Sequence, residues 1–154
     1  MLFRSRKPKK RLRAVLKTLR DEYDVVFLDC PPNLTMLTEN VFHAADFIIH
    51  PTVPTTLSQR TLERLIEFFD EEKLPTTNIV PFFSMAETRK SLHKDTMTQL
   101  PELIPGFLET AIPYLSEIER MGVYREPAPA RSGHTHSNRM YADLWNEIKE
   151  RTGI

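Results

Sequence analysis

The sequence predicts an α/β fold in which helices cover an open, parallel sheet. Two observations predict it: short apolar runs alternate with amphipathic segments along the chain, and the segments between the runs are of helical length. Parallel strands need such crossovers, because the chain must return to the same end of the sheet before the next strand begins. With 154 residues, the chain is long enough for one domain with a sizeable core. We therefore expect a basic tail over residues 1–10 and a single α/β domain over residues 11–154.

Four apolar runs are the predicted strands. The first, Tyr23–Cys30, is continuously apolar at its centre, which is typical of a strand buried on both faces. It ends at Pro31, because proline cannot donate a hydrogen bond to a ladder. The other predicted strands are Phe47–His50, Asn78–Met85 and Phe107–Ile112.

Apolar residues three and four positions apart predict helices before, between and after these strands. Thr56–Lys73 is the longest of them, with Leu62, Leu65, Ile66 and Phe69 on its inner face. The segment Glu126–His136 is predicted as a loop, because prolines and a glycine interrupt it. The other predicted helices are Leu12–Leu19, Leu34–Ala45, Glu87–Leu100 and Ser137–Arg151.

Charge is balanced overall but uneven along the chain. Nine Lys and Arg residues precede the first acid, Asp21, so the remaining 12 basic and 21 acidic residues carry a net charge of −9. Such a basic leader is typical of contact with nucleic acid or an anionic membrane, and more often of a solvated tail. The only cysteine, Cys30, excludes an internal disulfide and a cysteine-based zinc cluster, and it favours a cytoplasmic location. No apolar run approaches the roughly 20 residues that span a bilayer, so no membrane partner is expected.

Ligands of open α/β sheets bind beyond the carboxyl ends of the strands. In this chain those ends are the segments around Asp29, His50, Ser84 and Pro113. An acid at the end of a buried apolar strand is typical of a Walker B carboxylate, which holds magnesium directly or through a water. Because aspartate is also a frequent turn residue, Asp29 alone is open to both interpretations. The histidines lack the spacing of a metal site.

A longer motif surrounds Asp29. The run Tyr23–Asn33 (YDVVFLDCPPN), with spaced leucine, asparagine and alanine residues after it, resembles the switch II region of the ParA/Soj/MinD family of partitioning ATPases. The resemblance covers roughly residues 11 to 150 and is dense only over Asp24–Asp46. Its later parts are Ser84–Leu92 (SMAETRKSL), Thr110–Pro113 (TAIP) and a spaced closing pattern from Gly122 to Leu144.

This resemblance implies a partial P-loop NTPase-like parallel sheet with flanking helices, lacking the P-loop strand, and Mg-ATP as the family's cofactor. It implies that Asp29 is the magnesium-side carboxylate and that Pro31 and Pro32 stiffen the switch loop beside the γ-phosphate. The residues where the family holds adenine are Ser84, Met85, Pro113 and Tyr114. The basic residues that match a DNA-contacting region of several relatives are Arg89, Lys90 and Lys94. Strand capping, loop packing and a solvated helix face are the plain structural explanations of the same residues.

The phosphate-binding loop of the family has no counterpart in these 154 residues. Such a loop needs closely spaced glycines followed by lysine, so that backbone amides and an ammonium group hold the phosphates. None of the four glycines is followed by lysine. The chain therefore resembles the C-terminal half of a ParA-type ATPase, and we expect no catalytic residue and no ATP hydrolysis from this chain alone. The family's P-loop strand lies beside the switch II strand. Val25–Leu28 would therefore present an unpaired apolar edge, unless another chain supplies the partner or the fold is rearranged.

Two classes of function remain open. The first is ATP-dependent DNA segregation, in plasmid or chromosome partitioning, with a nucleotide site that is incomplete in this chain. For that class the resemblance implies a homodimer, DNA bound without sequence preference, and a ParB-like activator protein as partners. The alternative is a non-catalytic protein-interaction module derived from the ParA fold. A weaker third interpretation is a relative that acts in cell-division placement or in amidotransferase-type cofactor synthesis.

Overall fold

The computed structural model describes residues 11–30, 35–127, 130 and 136–154, and the chain divides into two compact units. The first unit comprises residues 1–48 with Ile154, and the second comprises residues 49–153. The expected basic tail, Pro31 and Pro32 lie outside the described residues.

The first unit contains two short helices. α1 is Arg11–Leu16, continued by a 3₁₀ turn over Lys17–Leu19, and α2 is Met36–Phe42. α2 begins where Thr35 accepts a hydrogen bond from the backbone N–H of Thr38 on its Oγ1 at 3.3 Å, which satisfies one of the free donors of the first turn. Both helices were predicted, and α2 is shorter than its predicted range.

The predicted strand Tyr23–Cys30 is not formed, and this prediction is wrong. Residues 25–30 have no regular secondary structure, and Val25, Val26 and Phe27 are 37%, 43% and 72% exposed. Apolar, β-branched sequence favours a strand only when a neighbouring strand accepts and donates its backbone hydrogen bonds. The described sheet consists of two other strands, so the apolar run has the composition of a buried strand without the ladder that would make it one.

The sheet is parallel and has the order β1-β2, with β1 at Ile48–Thr52 and β2 at Ile79–Phe83. β1 runs two residues beyond its predicted end, through Pro51. All five residues of β2 are buried, as expected for a strand covered on both faces. Beyond β2, Ser84 donates its backbone N–H to the carbonyl of Thr52 at 3.0 Å, so the carboxyl ends of the two strands stay side by side.

The crossover between the strands is α3, Thr56–Glu71, followed by a 3₁₀ turn over Thr76–Asn78. Its inner face buries Leu62, Leu65 and Phe69, as predicted. Fully burying side chains of this size stabilises a fold by about 1.5–3 kcal/mol each. Beyond the end of the helix, Lys73 has a left-handed φ of 57°, and Leu74 donates its N–H to the carbonyl of Phe69 at 2.8 Å. This is the hydrogen bond of a Schellman cap.

In the described part of the chain, four helices of at least four residues follow β2. They are α4 (Ser91–Leu103), α5 (Ser116–Glu119), α6 (Met121–Tyr124) and α7 (His136–Thr152). α4 and α7 confirm two predicted helices, whereas α5 and α6 were not predicted. Leu144 and Ile148 are the buried apolar residues of α7, at 5% and 8% exposure. The predicted loop Glu126–His136 lies largely outside the described residues.

The predicted fourth strand, Phe107–Ile112, is also wrong as a regular strand. The segment follows β2, since Leu108 donates to the carbonyl of Pro81 at 2.9 Å and Ile112 to that of Phe83 at 2.8 Å. The two donors, Leu108 and Ile112, are four positions apart, whereas their acceptors, Pro81 and Phe83, are only two positions apart. A regular ladder advances equally on both sides. Two extra residues therefore interrupt the pairing, and only an isolated bridge further on is formed.

Candidate functional site

The predicted nucleotide residues belong to different units. Asp29 is in the first unit, whereas Ser84, Met85, Pro113 and Tyr114 are in the second. Each group is therefore described on its own.

Asp29 is exposed, and the next residue is the half-buried Cys30. The Cys30 Sγ donates to the carbonyl oxygen of Leu28 at 3.4 Å. Burial raises the pKa of the Cys30 thiol, and the charge of Asp29 raises it further. Cys30 is therefore a protonated thiol near neutral pH, which does not favour a nucleophile. Its neighbour is an exposed carboxylate in a position where it can meet a ligand cation.

The residues of the second unit meet beyond the end of β2. Ala86 donates its N–H to the carbonyl of Ile112 at 3.1 Å, and Tyr114 donates its N–H to the carbonyl of Ala86 at 3.0 Å. These two bonds form a parallel bridge between Ala86 and Pro113. Met85, directly before Ala86, is thereby placed beside the segment that carries Pro113 and Tyr114. The structure brings together three of the residues that the sequence singled out at separate positions.

Met85 is an extra residue in this pairing. Ile112 donates to the carbonyl of Phe83, so a regular parallel ladder would have Met85 donate to the carbonyl of Ile112, but Ala86 does so instead. Met85 has a φ of 54°, in the left-handed region, and its side chain is 49% exposed. One inserted residue of this kind is a β-bulge, which redirects a side chain and is common beside binding sites.

On the facing segment, the two extra residues are held by a side chain. Glu109 donates its N–H to Oε1 of Glu147, and Thr110 donates its N–H to Oε2 of Glu147 at 2.9 Å. For Thr110, the carboxylate of α7 therefore replaces the strand carbonyl that a regular ladder would offer, and it also accepts from the adjacent Glu109. Sequence reasoning missed Glu147, because thirty-seven residues separate it from Thr110.

The phenol of Tyr114 is fixed by an acid. Its hydroxyl donates to the carboxylate of Glu119, and this hydrogen bond raises the pKa of Tyr114. The negative charges of Glu119 and, to a lesser degree, Glu87 act in the same direction, as does burial. Tyr114 is 43% exposed, so it presents a neutral aromatic ring at the edge where Met85 lies.

The predicted DNA-contacting residues surround the start of α4. Arg89 and Lys94 are exposed, whereas Lys90 forms an ion pair with Glu87. The loop before α4 is bonded to that helix, because the backbone N–H of Glu87 donates to Nδ1 of the buried His93 at 3.1 Å. All three cations are exposed, and Lys90 is the one that is paired with an acid.

Within the part of the chain that the structure describes, no group of three or more His, Cys, Asp or Glu residues is arranged to hold a metal ion. His50 contacts Thr52 through Nδ1 and Oγ1 at 3.0 Å, and burial lowers the pKa of its imidazole. The functional candidates that the sequence missed are therefore acids, Glu119 and Glu147, and the buried His93. Glu147 is distant in sequence from its partners, and His93 accepts from a backbone group, so no local spacing could have revealed these two.

Comparisons with known proteins agree on one family. A family model described as an AAA domain matches residues 1–80. A ParA family protein of Chlamydia pneumoniae is 28% identical over 141 residues, covering 90% of this chain and 55% of the relative. The chromosome-partitioning ATPase Soj of Treponema pallidum is 24% identical over 147 residues, covering 92% of this chain and 58% of the relative.

A solved structure supports the same fold. The crystal structure of the cell division ATPase MinD from Pyrococcus furiosus superposes with a TM-score of 0.69 at 19% identity, covering 93% of this chain and 58% of that one. The chain thus spans little more than half the length of the curated relatives it matches. None of the helices described here is long and apolar enough to cross a membrane.

Proposed function

The chain belongs to the AAA-domain family of ParA- and MinD-type proteins, and on that premise we propose that it contributes part of an Mg-ATP site to a protein of DNA segregation. Asp29 is the magnesium-side carboxylate, and Ser84, Met85, Pro113 and Tyr114 are the base-side residues. The observation that supports the proposal is the bridge between Ala86 and Pro113, beside which Met85, Pro113 and Tyr114 lie beyond the end of β2. This is where open α/β sheets bind their ligands.

The chemistry of the base-side residues suits a nucleobase. Met85 offers a polarisable thioether on a bulge, and Tyr114 offers a neutral ring held by Glu119. Flat aromatic bases pack on such side chains through dispersion and offset stacking. Asp29 supplies a hard oxygen ligand of the kind that magnesium prefers, with water and phosphate oxygens completing its shell.

Hydrolysis is not part of the proposal for this chain alone. Phosphoryl transfer depends on an ammonium group and backbone amides around the phosphates, and the sequence contains no glycine-rich run followed by lysine. The residues described above bind and orient a nucleotide, and the groups that activate water come from another polypeptide segment. A homodimer, a ParB-like activator and a cytoplasmic location complete the proposal by family resemblance.

The DNA part of the proposal rests on Arg89 and Lys94, which are exposed at the start of α4. Contacts to phosphates require exposed positive charge and carry no sequence information. Lys90 contributes less, because Glu87 already neutralises it.

Calorimetric titration of the purified chain with Mg-ATP at low salt tests the nucleotide proposal. We expect measurable binding that weakens in Asp29→Ala, while Asp24→Ala, an exposed acid of the same segment, keeps wild-type affinity. Hydrolysis by the same sample stays at background. Equal affinities of the two variants would contradict the role of Asp29, and turnover lost on Asp29→Ala would contradict the absence of hydrolysis.

Fluorescence anisotropy with a short DNA duplex of arbitrary sequence tests the DNA proposal. Arg89→Ala and Lys94→Ala should each weaken binding and flatten its salt dependence, since each removes about one phosphate contact. Arg64→Ala, an exposed arginine on α3, is the matched control and should bind as the wild type does. If Arg64→Ala weakens DNA binding to the same degree, the DNA is attracted by the net charge of the chain and not by a site at the start of α4.

A non-catalytic interaction module is the second candidate, and the exposure of Val25, Val26 and Phe27 favours it. Contiguous exposed apolar residues commonly mark protein interaction surfaces. If the wild-type chain gives no heat with Mg-ATP, while remaining folded by circular dichroism, this second candidate is the better explanation.

A further inference from the structure

α7 contacts the segment opposite β2 at two places one helical turn apart. Glu147 binds the backbone N–H groups of Glu109 and Thr110. Four residues later, Arg151 lies over Gly106, where an added methyl group would be 3.5 Å from its Nη2 atom. Residues four apart lie on one face of a helix, and the burial of Leu144 and Ile148 fixes that helix in the second unit.

We propose that Glu147 is a positioning residue, whose carboxylate sets the register in which residues 112–114 meet the end of β2. The importance of this register for a nucleobase rests on the proposed function. The register itself concerns only the chain's own backbone and can be tested without a nucleotide.

An alternative pairing of this segment with β2, shifted by two residues, competes with the observed register. If Glu109 and Thr110 returned to the ladder, Thr110 instead of Ile112 would donate to the carbonyl of Phe83. The facing segment would then advance by two residues, and Ala111 would take the place of Pro113 beside Ala86. Side chains keep their face in a shift of two residues, so the hydrophobic pattern alone does not exclude this pairing. Glu147 excludes it by binding the N–H of Thr110, which the shifted pairing would require, and by holding the preceding N–H of Glu109 on the same carboxylate.

A carboxylate suits this task better than a neutral acceptor. Its two oxygens accept from two consecutive N–H groups at once, and hydrogen bonds to an ionised acceptor are stronger than neutral ones. Glutamine at the same position offers one acceptor oxygen, and its NH2 group cannot accept a hydrogen bond from the second N–H. Alanine offers neither. The proposal therefore predicts a graded response, from the wild type through Glu147→Gln to Glu147→Ala.

Amide hydrogen exchange followed by NMR on the full chain measures that response. In Glu147→Gln, the amides of Glu109 and Thr110 should exchange about tenfold faster or more, because a charged hydrogen bond is lost. The amides of Ile112 and Tyr114, which donate to Phe83 and Ala86, should accelerate with them. In Glu147→Ala the acceleration should be larger still.

Two controls distinguish a change in the pairing register from a general destabilisation of the fold. Glu150→Gln removes an exposed charge from the same helix and should leave all four amides at wild-type rates. The amide of Val80 in the buried β2 should stay protected in every variant that folds. If Glu147→Ala fails to fold, the exchange rates of Glu147→Gln compared with the wild type still test the proposal. Faster exchange at Glu109 and Thr110 with wild-type rates at Ile112 and Tyr114 would overturn the proposal, since Glu147 would then anchor only the loop.

Titration of the same variants with Mg-ATP separates this proposal from the proposed function. If the wild-type chain binds no nucleotide, yet Glu147→Gln releases Ile112 and Tyr114, the positioning role is supported and the nucleotide role is not. If the wild type binds and Glu147→Gln, with its segment released, binds several-fold more weakly, both are supported. Unchanged exchange at Ile112 and Tyr114 overturns the positioning role whatever the nucleotide result.

Discussion

The imidazole of His93 accepts a hydrogen bond from the backbone N–H of Glu87 at 3.1 Å, and this bond ties the first turn of α4 to the loop that follows β2. His93 is only 4% exposed, so its ring also fills space between the helix and that loop. The loop begins immediately after Ala86, the residue that bridges to Pro113. The loop beside this bridge is thus held in part by a buried side chain of α4.

Removing the ring of His93 should destabilise the fold. His93→Ala leaves the N–H of Glu87 without its acceptor and creates a cavity, at a cost of about 2 kcal/mol or more in the free energy of unfolding. His93→Asn, whose amide oxygen can take the position of Nδ1, should lose less, and the exposed Gln99→Ala on the same helix should be close to neutral. Urea unfolding measures all three. Equal losses in His93→Ala and His93→Asn would show that packing, and not the hydrogen bond, holds the loop.

Because the backbone of Met85 is left-handed, we expect a substitution by glycine to be tolerated at this position. Met85→Gly should stay within about 0.5 kcal/mol of the wild type in unfolding free energy, because glycine adopts a φ of 54° without strain. Met85→Val should destabilise by about 1 kcal/mol or more, because a β-branched residue is disfavoured there. Met97→Gly, inside α4, is the matched control and should cost about 1 kcal/mol. A larger loss at Met85 than at Met97 would contradict the bulge.

Two leucines on α3 should respond very differently to truncation. Leu62 is 0% exposed and Leu57 is 76% exposed, although both belong to the same helix. Leu62→Ala should lower the unfolding free energy by about 2–5 kcal/mol, because the buried side chain leaves a cavity. Leu57→Ala should change it by less than about 0.5 kcal/mol. Chemical denaturation monitored by circular dichroism compares them, and similar losses would mean that the outer face of α3 is covered in solution.

The titration of Tyr114 should depend on Glu119. The hydrogen bond and charge of Glu119 hold the pKa of Tyr114 above its ordinary value, so Glu119→Gln should lower that pKa toward about 10. A raised pKa in the folded state stabilises the fold below the ordinary pKa, and this contribution is lost as the pH rises through the folded-state value. Glu119→Gln should therefore reduce the pH dependence of stability above about pH 10.

NMR of ¹³C-labelled tyrosine follows this titration residue by residue. Tyr141 is the internal control, because burial raises its pKa and Glu119 plays no part in it. A shift of both tyrosines by the same amount would indicate a general loosening of the fold instead of a broken pair.

The amino-acid pattern alone was enough for the longer helices and for the family, although the short α5 and α6 were not predicted. The apolar spacing of Leu62, Leu65 and Phe69 predicted the buried face of α3, and α7 was predicted almost to its ends. The motif around Asp29 identified the family, because it combines residue types at spacings that rarely coincide. Ser84, Met85, Pro113 and Tyr114 were named from the same resemblance, and their roles as nucleotide-binding residues stay predictions.

The tertiary structure decided which apolar runs became strands and how their ends were aligned. A helix closes its hydrogen bonds within four residues, so local sequence carries the information for it. A strand needs a partner that is distant in sequence, and the composition of Tyr23–Cys30 could not specify one. The same reason explains Glu147, which lies thirty-seven residues from Thr110 and completes its hydrogen bonding. The sequence by itself determined the longer helices and the family. Only the folded chain decided the strand pairing, because pairing is a property of two segments and not of either one.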